Sequence, residues 1–421
     1  MPQTATTTKL YARVEAHEKD MVDLLSGLIR IPALGPKNDG PGEWEKAQWL
    51  RKYCETHGFK VEQYDAPDPS VPSGKRPNLV VRVKGKSSKR TLWIMSHVDV
   101  VPPGADKDWT ETKPFEPRLK NGRLYGRGSE DNGQSLAASF WALKTLVEEG
   151  VKPTFDVALL FVADEETGSD LGLTWLLETH PELFRKEDLI LVPDGGDEKG
   201  EKIEVAEKTI LWIKFTVTGK QCHGSMPYLG NNAHRAAAKL TVLLDEELHK
   251  KFPDRDALFM PPESTFEPTK HESNVPNVNT IPGTEVFYFD NRILPRYTSE
   301  QALKVVDACI KRIEKETGAK VSYELQQHAP AAPPTPANAE IVQRMKAALK
   351  ELRPKLKPTV WGVGGGTVAA IFRRQGFAAI VWSTYDELAH APNEYAVVKN
   401  IVADAQVYAH LMTQPETAPK A

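Results

Sequence analysis

Four short apolar runs mark the first half of the chain: LVVRV near residue 80, TLWIM from Thr91, VALLFV from Val157 and LILVP from Leu189. Each is continuous rather than alternating, as expected of strands buried on both faces, so together they predict a sheet covered by helices on either side. Between the second and third runs lies QSLAASFWALKTLVEEG. There Leu136, Phe140, Leu143 and Val147 recur at helical spacing, and Gly150 supplies a stop. The pattern is α/β around a mainly parallel or mixed sheet.

Near residue 208 the period changes. In ILWIKFTVTGK, Leu211, Ile213, Phe215 and Val217 fall on one face and Trp212, Lys214, Thr216 and Thr218 on the other, which predicts a sheet with one solvated side. A helix follows with Ala233, Ala237, Leu240, Leu244 and Leu248 on one stripe. Next come a strand around Ser264–His271, the strand EVFYFDNRIL, a helix opened by Ser299 and the strand VSYEL. That order, β-α-β-β-α-β, matches a ferredoxin-like α+β unit. The Pro/Ala run Ala329–Pro336 then returns the chain to an α/β pattern that includes TVWGVGGG and AAIVWS. The expected organisation is a discontinuous domain, residues 1–207 and 329–421, interrupted by a smaller domain at 208–328, with hinges near 207 and 329.

Composition narrows the function classes. The 421 residues are 40% hydrophobic and 26% charged, with a net charge of −3 and no long block of one sign. A nucleic-acid binder needs a basic face to displace counterions, and none is present. No run approaches the apolar length of a membrane span, and the opening stretch has no apolar segment of the kind that directs secretion. Cys54, Cys222 and Cys309 are odd in number and far apart, so they build neither a disulfide framework nor a cysteine zinc site. The cytoplasm is the expected compartment.

The candidate chemistry lies where the apolar runs end. TLWIM runs into Ser96-His97-Val98-Asp99, and LYGRGSEDNG brings Asp131 to the start of a helix. VALLFVAD is followed by Glu165-Glu166, and LILVP by Asp194-Gly195-Gly196. Ligand crevices in open α/β sheets form beyond the carboxyl ends of the strands. Asp99, Asp131, Glu165, Glu166 and Asp194 would gather about five negative charges there, and carboxylates ~4 Å apart repel by several kcal/mol per pair. Divalent cations relieve that repulsion. Histidine and carboxylate donors without thiolates suit zinc in a catalytic role.

At these residues the chain resembles a known family. SHVDVVP, GRGSEDNG, DEETGS, VPDGG and AHAPNE, in that order over nearly the whole length, resemble the di-zinc exopeptidases and deacylases. That family includes acetylornithine deacetylase, succinyl-diaminopimelate desuccinylase and carboxypeptidase-like metallopeptidases. The resemblance implies a catalytic domain with a mixed central sheet and an inserted ferredoxin-like lid through which relatives dimerise. It implies two Zn2+, with Co2+ or Mn2+ as substitutes. His97 and Asp194 would hold one ion, Glu166 and His390 the other, and Asp131 would bridge them. Glu165 matches the general base, and Asp99 matches the group that orients the His97 imidazole. His223, in KQCHGSMP, resembles a lid histidine that stabilises the oxyanion, supplied by the partner subunit in dimeric relatives. Asn279, Arg292 and the Gly364-Gly365-Gly366 loop match substrate-holding positions, and an arginine fork suits a free carboxylate.

The implied activity is hydrolysis of a peptide or N-acyl amide bond beside a free carboxylate, by a dipeptidase, a carboxypeptidase or an N-acyl-amino-acid deacylase. The rival class is a non-hydrolytic binding protein that keeps the fold and metals; the intact Glu165 argues against it. The glycine loop lacks the lysine and spacing of a phosphate loop. Glu130 is expected to be a solvated or turn-forming acid, and Cys222 is not expected to be a nucleophile.

Overall fold

The computed structural model describes residues 5–417, and the chain divides into two compact units. The larger comprises residues 1–205, 335–360 and 367–421; the smaller comprises 206–334 and 361–366.

In the larger unit the central sheet has eight strands. Their order is Val61–Pro67, Lys75–Val83, Phe155–Val162, Ser87–His97, Leu189–Asp197, Ala379–Thr384, Lys202–Glu207 and Thr359–Val363. The four from Phe155–Val162 to Ala379–Thr384 run parallel, and antiparallel strands flank them. Phe155–Val162 and Ala379–Thr384 are buried at every position, which is why their sequences are mostly apolar rather than alternating. Trp93, Met95, Leu160 and Val192 build one apolar layer with Leu173, Leu176, Phe184, Phe372 and Phe377. On the sheet's other face lie the helices Gln134–Glu148 and Val398–Thr413, which pack on each other. Leu136, Phe140 and Leu143 are buried as expected, whereas Val147 is exposed, because the helix ends one residue later and Gly150 turns out at φ 64°. The opening residues 5–16 form a helix that buries Leu10, Tyr11 and Val14.

The smaller unit has the expected element order. The four strands of its main sheet, all antiparallel, lie in the order Thr265–His271, Thr284–Ile293, Thr209–Thr218 and Lys320–Ala329. In chain order that is 2-3-1-4, the ferredoxin-like arrangement. The helices Ala233–Lys251 and Ser299–Thr317 cover one face. Leu240, Leu244, Val306 and Ile310 meet Phe215, Phe287 and Phe289 there, and the rings of Phe215 and Phe287 stack at 4.9 Å. The second helix opens on a capping box made by Thr298 and Gln301, one residue before the expected Ser299. The other face carries Trp212, Lys214 and Tyr288, with Lys214 paired to Glu324 at 3.0 Å. No helix among the described residues is long and apolar enough to cross a membrane.

Candidate metal centre

Each of the four parallel strands delivers chemistry at its carboxyl end. His97 is the last residue of its strand, and Asp194 lies late in Leu189–Asp197. Phe155–Val162 leads through Ala163 and Asp164, the latter at φ 63°, into a single turn holding Glu165 and Glu166. Ala379–Thr384 leads into the loop that carries His390, at φ 66°. A fifth segment, the turn Ser129–Gly133 entering the Gln134–Glu148 helix, brings Asp131 to the same place.

These residues form two triads with one member in common. Ligand atoms of His97, Asp131 and Asp194 lie within 4.8 Å of one another, and so do those of Asp131, Glu166 and His390. The His97 Nε2 stands 2.9 Å from Asp131 Oδ1 and 3.5 Å from Asp194 Oδ1. The His390 Nε2 stands 3.1 Å from Glu166 Oε2 and 3.3 Å from Asp131 Oδ2. Asp131 therefore turns one carboxylate oxygen to each triad.

Supporting contacts fix this arrangement. The His97 Nδ1 faces the Asp99 carbonyl oxygen at 3.0 Å, which leaves Nε2 for the triad. The Asp99 carboxylate, 3.5 Å from the same nitrogen, has two further partners: it accepts the backbone N–H groups of Glu165 at 3.2 Å and Glu166 at 3.0 Å. Asn132 Nδ2 donates to Asp194 Oδ1 at 2.8 Å. Asp164 is tied to Arg76, whose guanidinium also pairs with Glu43 and Asp68 in a buried cluster.

Two buried acids absent from the expected set complete the frame. Glu394 accepts the amides of Gly128, Glu130 and Asp131 and pairs with Arg127 at 2.6 Å. Of the two roles expected for Glu130, a solvated or a turn-forming acid, it lies in the Ser129–Gly133 turn and is not solvated. It is 2% exposed and accepts the amides of Asp386 and Leu388, clamping the Asp131 turn to the His390 loop. Only the motif AHAPNE hinted at Glu394, and partners more than 250 residues away in sequence leave no local signal.

The electrostatics follow from crowding. Burial, and then the Asp131 charge, push Glu166 up to about 7; burial and the Asp194 charge hold Glu165 well above the usual carboxylate range. Burial also pushes Asp131 upward, but hydrogen bonds from His390 and His97 outweigh it and hold that carboxyl low. Contact with Asp131 and Glu166 raises His390 to about 10. The Lys46 ammonium, buried behind the site, is pulled down to about 8 by burial against the pull of Asp99 and Glu43. Three carboxylates and two imidazoles in two oxygen-and-nitrogen triads fit a pair of divalent cations of the zinc, cobalt or manganese type. The Glu165 carboxylate has no hydrogen-bond partner among the described residues.

The remaining sequence candidates belong to the smaller unit. His223 and Asn279 are neighbours: His223 pairs in register with Thr280, and the Gly224 amide donates to the Asn279 carbonyl at 2.6 Å. Arg292 reaches the carbonyl of Gly364 at 2.9 Å. A Cβ added at Gly364 or Gly365 would meet nothing within 4 Å, so neither crowding nor a left-handed backbone explains these glycines. Gly366 lies against Ile210.

The chain is similar to known proteins over nearly its whole length. Residues 93–414 match the model of peptidase family M20/M25/M40. An uncharacterised metallohydrolase of Methanocaldococcus jannaschii is 39% identical over 94% of this chain and 99% of its own length. A succinyl-diaminopimelate desuccinylase of Pelagibacter ubique is 26% identical over 93% of this chain and 97% of its own. Among solved structures, human carnosine dipeptidase 1 superposes with a TM-score of 0.77 at 16% identity, covering 98% of this chain and 99% of that one, a likeness of fold.

Proposed function

We infer the activity of this chain from one established premise: it belongs to peptidase family M20/M25/M40 and is a metallohydrolase of amide bonds. The proposed reaction is hydrolysis of a peptide or N-acyl amide bond next to a free carboxylate, in a small peptide or an N-acyl amino acid. The observation that carries this reading is the Asp131 carboxylate, shared oxygen by oxygen between two imidazole–carboxylate triads.

In this reading His97 and Asp194 would hold one ion, Glu166 and His390 the other, and Asp131 would contribute to both. Zn2+ is the proposed metal. Bound there, the ions would supply Lewis acidity toward the scissile carbonyl and make water acidic enough to attack near neutral pH. Glu165 is the proton carrier: it takes the proton of the attacking water and returns it to the leaving nitrogen. Its raised affinity for a proton and its free carboxylate suit it to that exchange. Asp99 holds the turn that aims Glu165 and Glu166. His223 is assigned the oxyanion, and Asn279, Arg292, Gly365 and Gly366 the carboxylate end of the substrate. Dimerisation through the exposed edge strand Lys320–Ala329 belongs to the same proposal, with His223 acting across the dimer.

The test is a panel of dipeptides, N-acetyl and N-succinyl amino acids with zinc-loaded protein. One group is expected to turn over far faster than the others, which separates peptidase from deacylase. Chelation is expected to abolish turnover, and Glu165→Gln to lower kcat about 10²–10⁴-fold with metal content unchanged. Zinc-loaded protein that hydrolyses nothing in the panel would favour the binding-protein reading instead.

A further inference from the structure

The strand Thr284–Ile293 turns Phe287 and Phe289 into the apolar layer of the smaller unit, and by alternation it sends Asp290 and Arg292 to the opposite face. There the two side chains are locked together. Arg292 donates from Nε to Asp290 Oδ1 at 2.7 Å and from Nη2 to Oδ2 at 3.0 Å, a side-on bidentate pair. Its Nη1 donates to the Gly364 carbonyl at 2.9 Å, and the guanidinium lies 5.7 Å over the indole of Trp212, the register partner of Asp290 on the adjoining strand. A guanidinium has five N–H groups. Three are engaged, and one on each terminal nitrogen is without a partner among the described residues. Neither side chain is fully buried: Arg292 is 23% exposed and Asp290 28%.

A long side chain on an open sheet face ordinarily samples many rotamers, and a ligand must freeze them. Here that ordering is done in advance, by one carboxylate, one backbone carbonyl and one indole. We propose that Asp290 is a positioning residue for the substrate-carboxylate subsite: by closing the Nε edge of Arg292, it leaves the two terminal N–H groups as the only ones a carboxylate can take. The inference deepens the proposed function and rests on its assignment of Arg292. Because the Asp290–Arg292 pair is neutral overall, selection at this subsite comes from geometry at short range rather than from long-range attraction.

The experiment compares a substrate bearing a free carboxylate with its carboxamide, the latter read as substrate or as competitive inhibitor. For Asp290→Asn, KM for the carboxylate form is expected to rise at least fivefold. Its kcat, its metal content and the binding of the carboxamide are expected to stay within twofold. Asp290→Glu keeps the charge but moves it by one methylene; it serves as a second arm and is expected to fall between the two. Arg292→Met separates the layers of the argument. If Arg292→Met abolishes the carboxylate preference and Asp290→Asn leaves it intact, the positioning role is overturned while the proposed function stands. If neither changes the preference, the assignment of Arg292 itself fails. Equal losses on both substrates with Asp290→Asn would make Asp290 a structural residue and would also overturn the inference.

Discussion

Asp131 and the two imidazoles compete for the same protons, and that competition has a sign. The His390 proton is held up to a pKa of about 10, against an ordinary 6.5. In chelator-treated protein the folded form therefore binds this proton more tightly than the unfolded form between those values. The stability it contributes is fully present below about pH 6.5 and is lost as pH rises toward 10. Asp131, held below its ordinary value, acts oppositely and contributes stability that is lost as pH falls through the acid range. The melting midpoint of stripped protein is thus expected to decline across pH 7–10. Affinity for divalent ions should climb over the same interval, because the imidazoles must shed protons to ligate. A flat midpoint in stripped protein would contradict the crowding described here. Glu394 permits a second test at this scale. It accepts three backbone amides and supplies the carboxylate paired with the buried Arg127, so Glu394→Ala should cost about 3–5 kcal/mol in urea unfolding, the penalty for stranding a buried charge. His97, Asp99, Glu165, Glu166 and Asp194 were legible in the sequence because each follows an apolar run, and Asp131 because it stands where a helix begins. Glu130 and Glu394 were not, since their partners lie more than 250 residues away and only the folded chain brings them near.

Among the elements, the most legible were those whose burial is all-or-none. Continuous runs marked the strands covered on both faces, and strict alternation in ILWIKFTVTGK marked the sheet with helices on one side only. In that strand Phe215 is fully buried and stacks on Phe287. Phe215→Ala should therefore destabilise by about 3–5 kcal/mol, measured by chemical denaturation, whereas Thr216→Ala on the other face should change little. The Thr298 cap of the Ser299–Thr317 helix is a smaller test: Thr298→Ala should cost about 1 kcal/mol. Helix ends were less legible. Val147 has the spacing of a core residue and lies within the helix, yet it is exposed in the last turn, so spacing alone does not tell how far along a helix the core extends.

At the scale of the molecule, the order of strands in the large sheet differs from their order in the chain. Ala379–Thr384 sits between Leu189–Asp197 and Lys202–Glu207, made about 180 residues before it. Saturating zinc should raise the melting midpoint in step with its free concentration, as any ligand specific to the folded form does. Deletion after residue 375 should remove that response along with cooperative unfolding, since the sheet would lack an interior strand and the site its His390. The same arrangement has a consequence for biosynthesis. A nascent chain emerging from the ribosome cannot close its main sheet until Ala379–Thr384 has been translated, and the loop bearing His390 follows only then. Under the proposed assignment, a product stalled before residue 390 lacks a member of one triad and is inert rather than half-active.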